Sequence, residues 1–99
     1  MFIVFLNFTD KRERAPALMA EHNEWLQQGF ADQVFVLAGS VAPARGGAII
    51  AHNVTREDIE SRVSEDPLVT EGIVAAEIIE LTPTKVAQSL ALLDAEVAA

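Results

Sequence analysis

The sequence predicts an α+β domain of split β-α-β type: an antiparallel sheet with helices on one face. Three observations predict it. Four apolar, β-prone runs are spread along 99 residues, two segments with helical spacing of apolar positions stand between them, and a glycine-rich connection joins the middle two runs as a hairpin would. The resulting order is strand, helix, strand, strand, helix, strand. That is the order of the ferredoxin-like plait, with one more helix-like segment after it.

Phe2-Ile3-Val4-Phe5-Leu6-Asn7-Phe8 is a nearly continuous apolar run, the mark of a central strand covered on both faces. Thr9 or Asp10 can cap the segment that follows. Its apolar positions Ala15, Leu18, Trp25 and Leu26 recur at three- and four-residue steps, and Gly29 is expected to end it. Pro16 lies inside this segment, so either the helix proper begins near Ala15 or its first turn is irregular.

Gln33 to Val41 reads as the second strand, with Gly39 and Ser40 where a strand usually opens into a loop. Pro43-Ala44-Arg45-Gly46-Gly47 then connects to a third strand, Ala48 to His52. Thr55 followed by Asp58 is an acidic variant of the capping box and starts a short helix with Ile59 and Val63 on one side. The helix should stop before Asp66-Pro67. An irregular turn from Asp66 to Gly72 leads to a fourth strand, Ile73 to Leu81, ended by Pro83. Thr84 can cap a last helix over about 84–97, in which Val86, Leu90, Leu93 and Val97 form one stripe and Ala87, Ala91 and Leu92 widen it.

These elements make one domain over residues 1–99, with a core at 1–83 and the last helix as an appendage. A chain of this length can build one core, yet the strand runs are greasier than one core needs, and self-association is the simplest outlet. A formal net charge of −8 repels phosphate backbones, which argues against a nucleic-acid partner or an anionic membrane surface. Without cysteine, thiolate metal sites, disulfides and a cysteine nucleophile are excluded. The start, Met1 to Phe8, is too short for a secretory h-region, and no apolar run approaches the roughly 20 residues that span a bilayer. A cytoplasmic protein is expected.

His22 is the most informative residue. It stands four residues from Leu18 and four from Leu26, on the apolar stripe of the first helix, so a side chain suited to proton transfer faces the core rather than open water. The plain structural alternative is a half-buried packing histidine met by a carbonyl and water. His52 reads as a solvated strand-end residue, or as a second proton relay. Arg45, in the glycine-rich connection, is either an exposed loop arginine or a clamp for a substrate carboxylate. Lys11 to Arg14 reads as a solvated helix start. The histidines and acids show no close metal-ligand spacing, so no metal is expected.

Three pieces carry a family resemblance: Ala20-Glu21-His22-Asn23-Glu24-Trp25-Leu26, then Leu37-Ala38-Gly39-Ser40 leading through Pro43 to Gly46-Gly47, and Asp66-Pro67-Leu68-Val69-Thr70-Glu71-Gly72. In order and spacing the chain resembles the YciI-like, or YCII-related, family of small dimeric proteins with a ferredoxin-like α+β fold of the dimeric α/β-barrel type. The resemblance runs to about Pro83. It implies a pocket centred on His22 and Asp66, with Gly39 and Ser40 at its rim; Ser40 stands where the family more often shows proline. Asp66 also has a purely structural reading, as the N-cap before a first-turn proline. Capping and pairing need not exclude each other.

A carboxylate beside an imidazole fixes its tautomer and leaves the opposite ring nitrogen to exchange a proton with a substrate. The expected function is therefore small-molecule acid/base chemistry of isomerase, lyase or hydrolase type, without a cofactor, in a homodimer or higher homo-oligomer. Two other classes are open on the sequence. One is a non-catalytic ligand-binding or regulatory module; the other is a structural subunit that docks through its sheet face and the Val86 to Val97 segment.

Overall fold

A computed structural model describes residues 1–98. Phe2–Phe8 forms β1, and the sheet is completed by β2 (Phe35–Val41), β3 (Gly46–Ala51) and β4 (Val74–Glu80) in the order β2-β3-β1-β4, every neighbouring pair antiparallel. β1 is thus interior, as its run of apolar residues requires. Side chains alternate across the pleat, so Phe2, Val4 and Leu6 are buried on one face while Ile3 and Phe5 are half-buried on the other.

The first face carries the core. Val4, paired with Ile49 on β3 and Ile78 on β4, packs in one cluster with Ala15, Ile59, Val63 and Leu68 from the helical layer. Val4, Ile49, Ile59 and Ile73 are fully buried, and each contributes about 1.5–3 kcal/mol relative to exposure. The second face carries none of the three α-helices, yet it is apolar. Ile3 lies between Ile50 and Ile79, Leu37 sits opposite Ile50, and Leu37 and Ile79 remain 54% and 41% exposed.

The helical layer begins with a 3₁₀ segment, Arg12–Leu18, before α1 (Met19–Ala31). Pro16 explains this irregular start, because it has no N–H to continue an α-helical ladder. Thr9, rather than Asp10, secures the entry: its hydroxyl accepts from the Lys11 amide at 3.2 Å and donates to the Gly72 carbonyl at 2.7 Å. Contrary to the sequence reading, Gly29 does not end the helix. It is buried in the last turns, where a methyl group would run into the Phe35 ring, so this glycine serves packing rather than termination.

α2 (Arg56–Ser64) is capped as its sequence predicts, with the Thr55 hydroxyl accepting from the Asp58 amide at 3.1 Å. Three expectations need correction. Asp66 to Gly72 is not an irregular turn but holds a one-turn helix, α3 (Pro67–Thr70), because Asp66 caps it and Pro67 fits its first position. Gly39 and Ser40 lie within β2, paired with Ala48 and Gly47, so the strand opens into its loop only after Val41. The expected last α-helix is instead a run of 3₁₀ turns over Gln88–Glu96, broken at Leu90 and preceded by an extended Ala87. Of its leucines only Leu93 is buried, and a short helix without a packed face gains too little to propagate.

Candidate functional site

Asp66 is held where it is by the local chain. Its backbone is extended at the end of α2, which turns the carboxylate back over the first turn of α3, and Oδ1 accepts from the Leu68 amide at 3.1 Å. The same oxygen accepts a second bond, from Nδ1 of His22 in the first turn of α1 at 2.8 Å. Both readings of Asp66 are therefore realised at once. The carboxyl group is fully buried and Oδ2 has no partner.

His22 is itself only 8% exposed. One side of its ring stacks on Trp25, with centroids 5.7 Å apart and planes 28° apart, and the Trp25 indole N–H donates to the Arg62 carbonyl at 3.0 Å. The imidazole is thus fixed by a bond at one nitrogen and an aromatic face. With Nδ1–H directed to Asp66, a neutral ring presents Nε2 as an acceptor. Nε2 makes no hydrogen bond among the described residues, nor is it a sealed polar atom.

The ring forms part of the wall of a cavity of about 360 Å³ between α1 and the β2-β3 end of the sheet. Gly39 and Ser40 line it; Asp66 does not, because it stands behind His22. Arg45 is not brought there. Its side chain is exposed in the hairpin connection and its carbonyl accepts from the Phe8 amide at 3.0 Å.

Several wall residues were not singled out by the sequence. Met19 and Asn23 flank His22 on α1, and the helical offset of three could have pointed to Met19. Phe8 and Ala44 also line the cavity, and Arg12 grips both: its guanidinium lies 4.7 Å from the Phe8 ring centroid and donates to the Ala44 carbonyl at 2.8 Å. Nothing in the mixed-charge run of residues 11–14 signals that clasp. His52 is also not the solvated residue expected. It is buried just past β3, its amide donates to the Val34 carbonyl at 2.9 Å, and its Nδ1 has no partner. Among the described residues no group of three or more His, Asp or Glu side chains is placed to hold a metal ion, and no helix is long and apolar enough to cross a membrane.

The sheet order and the one-sided helical layer define the class: a ferredoxin-like α+β protein of the kind seen in dimeric α/β barrels. Residues 1–82 match the YCII-related domain, and the chain belongs to that family. Among solved structures it is similar to 5-chloro-2-hydroxyhydroquinone dehydrochlorinase (TftG) from Burkholderia phenoliruptrix AC1100, in complex with 2,5-dihydroxybenzoquinone, with a TM-score of 0.68 and 16% identity over 81% of this chain and 91% of that one. It is also similar to MtbAldR, with a TM-score of 0.53 and 15% identity over 88% of this chain and 55% of that one, so it spans about half of the latter. At such identities the likeness is one of fold. No curated protein sequence matches the chain.

Proposed function

We propose that this YCII-related protein is a small-molecule enzyme in which His22 is the general acid/base and Asp66 orients it. The observation that carries this reading is the 2.8 Å bond from His22 Nδ1 to a buried carboxylate, with the opposite nitrogen left unpartnered on a ring that lines a cavity. Gly39 and Ser40 form the opposing wall, and the Ser40 hydroxyl is available to a bound ligand. Isomerisation or elimination on a compact organic substrate suits a single proton-transfer group of this kind, and hydrolysis is the third possibility. The likeness to a dehydrochlorinase, whose reaction is an elimination, supports the second of these. Arg45, as an exposed loop residue, is the weakest member of the proposed set and would take part only if the hairpin folded over the ligand.

A substrate screen with His22→Ala alongside tests the reading. Turnover that falls about 10²-fold or more in a folded His22→Ala variant supports it, and unchanged turnover rejects it. If a metabolite raises the melting temperature while no product forms on long incubation, the site binds without catalysis and the protein is a ligand-binding or regulatory module. The assembly we propose is a homodimer through the apolar sheet face, in the cytoplasm, with a small molecule and neither nucleic acid nor membrane as its ligand.

A further inference from the structure

We infer that Arg12 is a positioning residue that sets access to the His22 cavity, by clasping the tip of the β2–β3 hairpin to the end of β1. It does so whether His22 transfers a proton or only binds. The cavity floor is buried, at Leu6, Ile49, Leu68 and Val74, whereas Ala44 on its wall is exposed and so marks the rim. Phe8, half-buried, adjoins the hairpin tip through the bond from its amide to the Arg45 carbonyl at 3.0 Å. One side chain holds both. The Arg12 guanidinium lies over the Phe8 ring and donates to the Ala44 carbonyl.

The two ends of the clasp are not equally fixed. Arg12 springs from an anchored corner: its amide donates to the Thr9 carbonyl at 3.3 Å, and Thr9 in turn donates from its amide to Ile73 at 3.0 Å and from its hydroxyl to Gly72 at 2.7 Å. The hairpin is fixed at its base, where Gly46 comes so close to the Leu6 carbonyl that a methyl group has no room. Its tip is less secure. Among the described residues the Phe8–Arg45 bond is the one backbone tie from residues 42–45 to the rest of the molecule, and Ala44 holds a φ of 53°, which a non-glycine residue adopts at a cost. Arg12 is the second tie. A guanidinium can lay its face on a ring while an N–H in its plane reaches a carbonyl, which the point charge of a lysine cannot do. Nor is it drawn elsewhere, for Arg56 and Arg62 pair with Glu60 and Asp32 whereas Arg12 has no carboxylate partner among the described residues. Loss of a charge-assisted bond and a cation–π contact raises the open population of the tip about tenfold, which widens the rim beside Ala44 and brings solutes to His22 more often.

Diethyl pyrocarbonate, which acylates histidine ring nitrogens, tests this without a substrate. The chain has two histidines, so modification of each is followed by peptide mass spectrometry at a single pH, with His52, which lies outside this cavity, as the reference. In Arg12→Met, which keeps the stem but loses the fork and the charge, His22 should react about fivefold faster or more while His52 is unchanged, and Arg12→Lys should fall between. The lost positive charge cannot produce that rise, because it favours the unreactive protonated imidazole. Hydrogen exchange at the Phe8 and Arg45 amides should quicken alongside, with the β4 amides unchanged. An unchanged His22 rate in Arg12→Met overturns the inference. So does an equal rise at both histidines, since the clasp then holds only the fold.

Discussion

Oδ1 of Asp66 accepts from both the Leu68 amide and His22 Nδ1, and substitution can separate the acceptor oxygen from its charge. Asp66→Ala removes the cap of α3 and leaves a buried ring nitrogen without its partner, for a combined loss of about 2–4 kcal/mol. Asp66→Asn keeps an acceptor for the Leu68 amide and should cost under about 1.5 kcal/mol while abolishing the proposed chemistry. Urea denaturation of the two variants, beside their turnover, checks the difference; equal destabilisation would mean the cap contributes nothing. Gly29 gives a second residue-scale expectation. Alanine is favoured over glycine inside a helix by about 1 kcal/mol, but here its methyl meets the Phe35 ring. Overpacking wins, so Gly29→Ala should lose about 1–3 kcal/mol, seen as a lower melting temperature.

At the scale of elements, the C-terminal 3₁₀ run is tied back by Glu96, whose carboxylate accepts from the Asn53 amide at 2.9 Å and lies 3.5 Å from the Met1 amino group. The Asn53 hydrogen bond, aided by the Met1 charge and opposed by partial burial, holds Glu96 below the usual glutamate range. A group lowered in the folded state stabilises it above its unfolded value, and that contribution disappears as pH falls through the folded value. Glu96→Gln should therefore be less stable than wild type at neutral pH, with the difference vanishing in acid, as paired acid titrations would report. The elements themselves were legible to very different degrees. The strands follow from their apolar runs and the first two helices from their period, with a side-chain cap marking only α2, because each has one face that the core buries. The last segment has the same apolar spacing but no core beneath it, and spacing alone cannot say whether a stripe will find a partner.

For the whole molecule, the topology was readable from the order of its local signals, whereas the His22–Asp66 contact was expected because the family resemblance implied it; helix spacing and an Asp-Pro cap do not by themselves pair the two residues. The Arg12 clasp, the buried state of His52 and the place of Arg45 were not readable, since each depends on how loops close over the sheet. The helix-free sheet face is where assembly is expected. Leu37, 54% exposed opposite Ile50, lies on it, so Leu37→Glu should halve the mass seen by light scattering while leaving the far-ultraviolet dichroism unchanged. An unchanged mass would move the interface elsewhere. A formal net charge of −8 would oppose association beyond such a proposed dimer.

One carboxylate oxygen with two duties also limits how this chain can diverge. Serine or threonine at position 66 could keep the helix cap but could not reach His22 with a charge, and glutamate, one methylene longer, would place its oxygens wrongly for both donors. Asparagine could keep the cap and a neutral acceptor, but no single replacement preserves the helix start and a charged partner for the histidine together. A descendant that abandoned the chemistry would be free to change His22 first, whereas loss at position 66 would unsettle fold and site in one step.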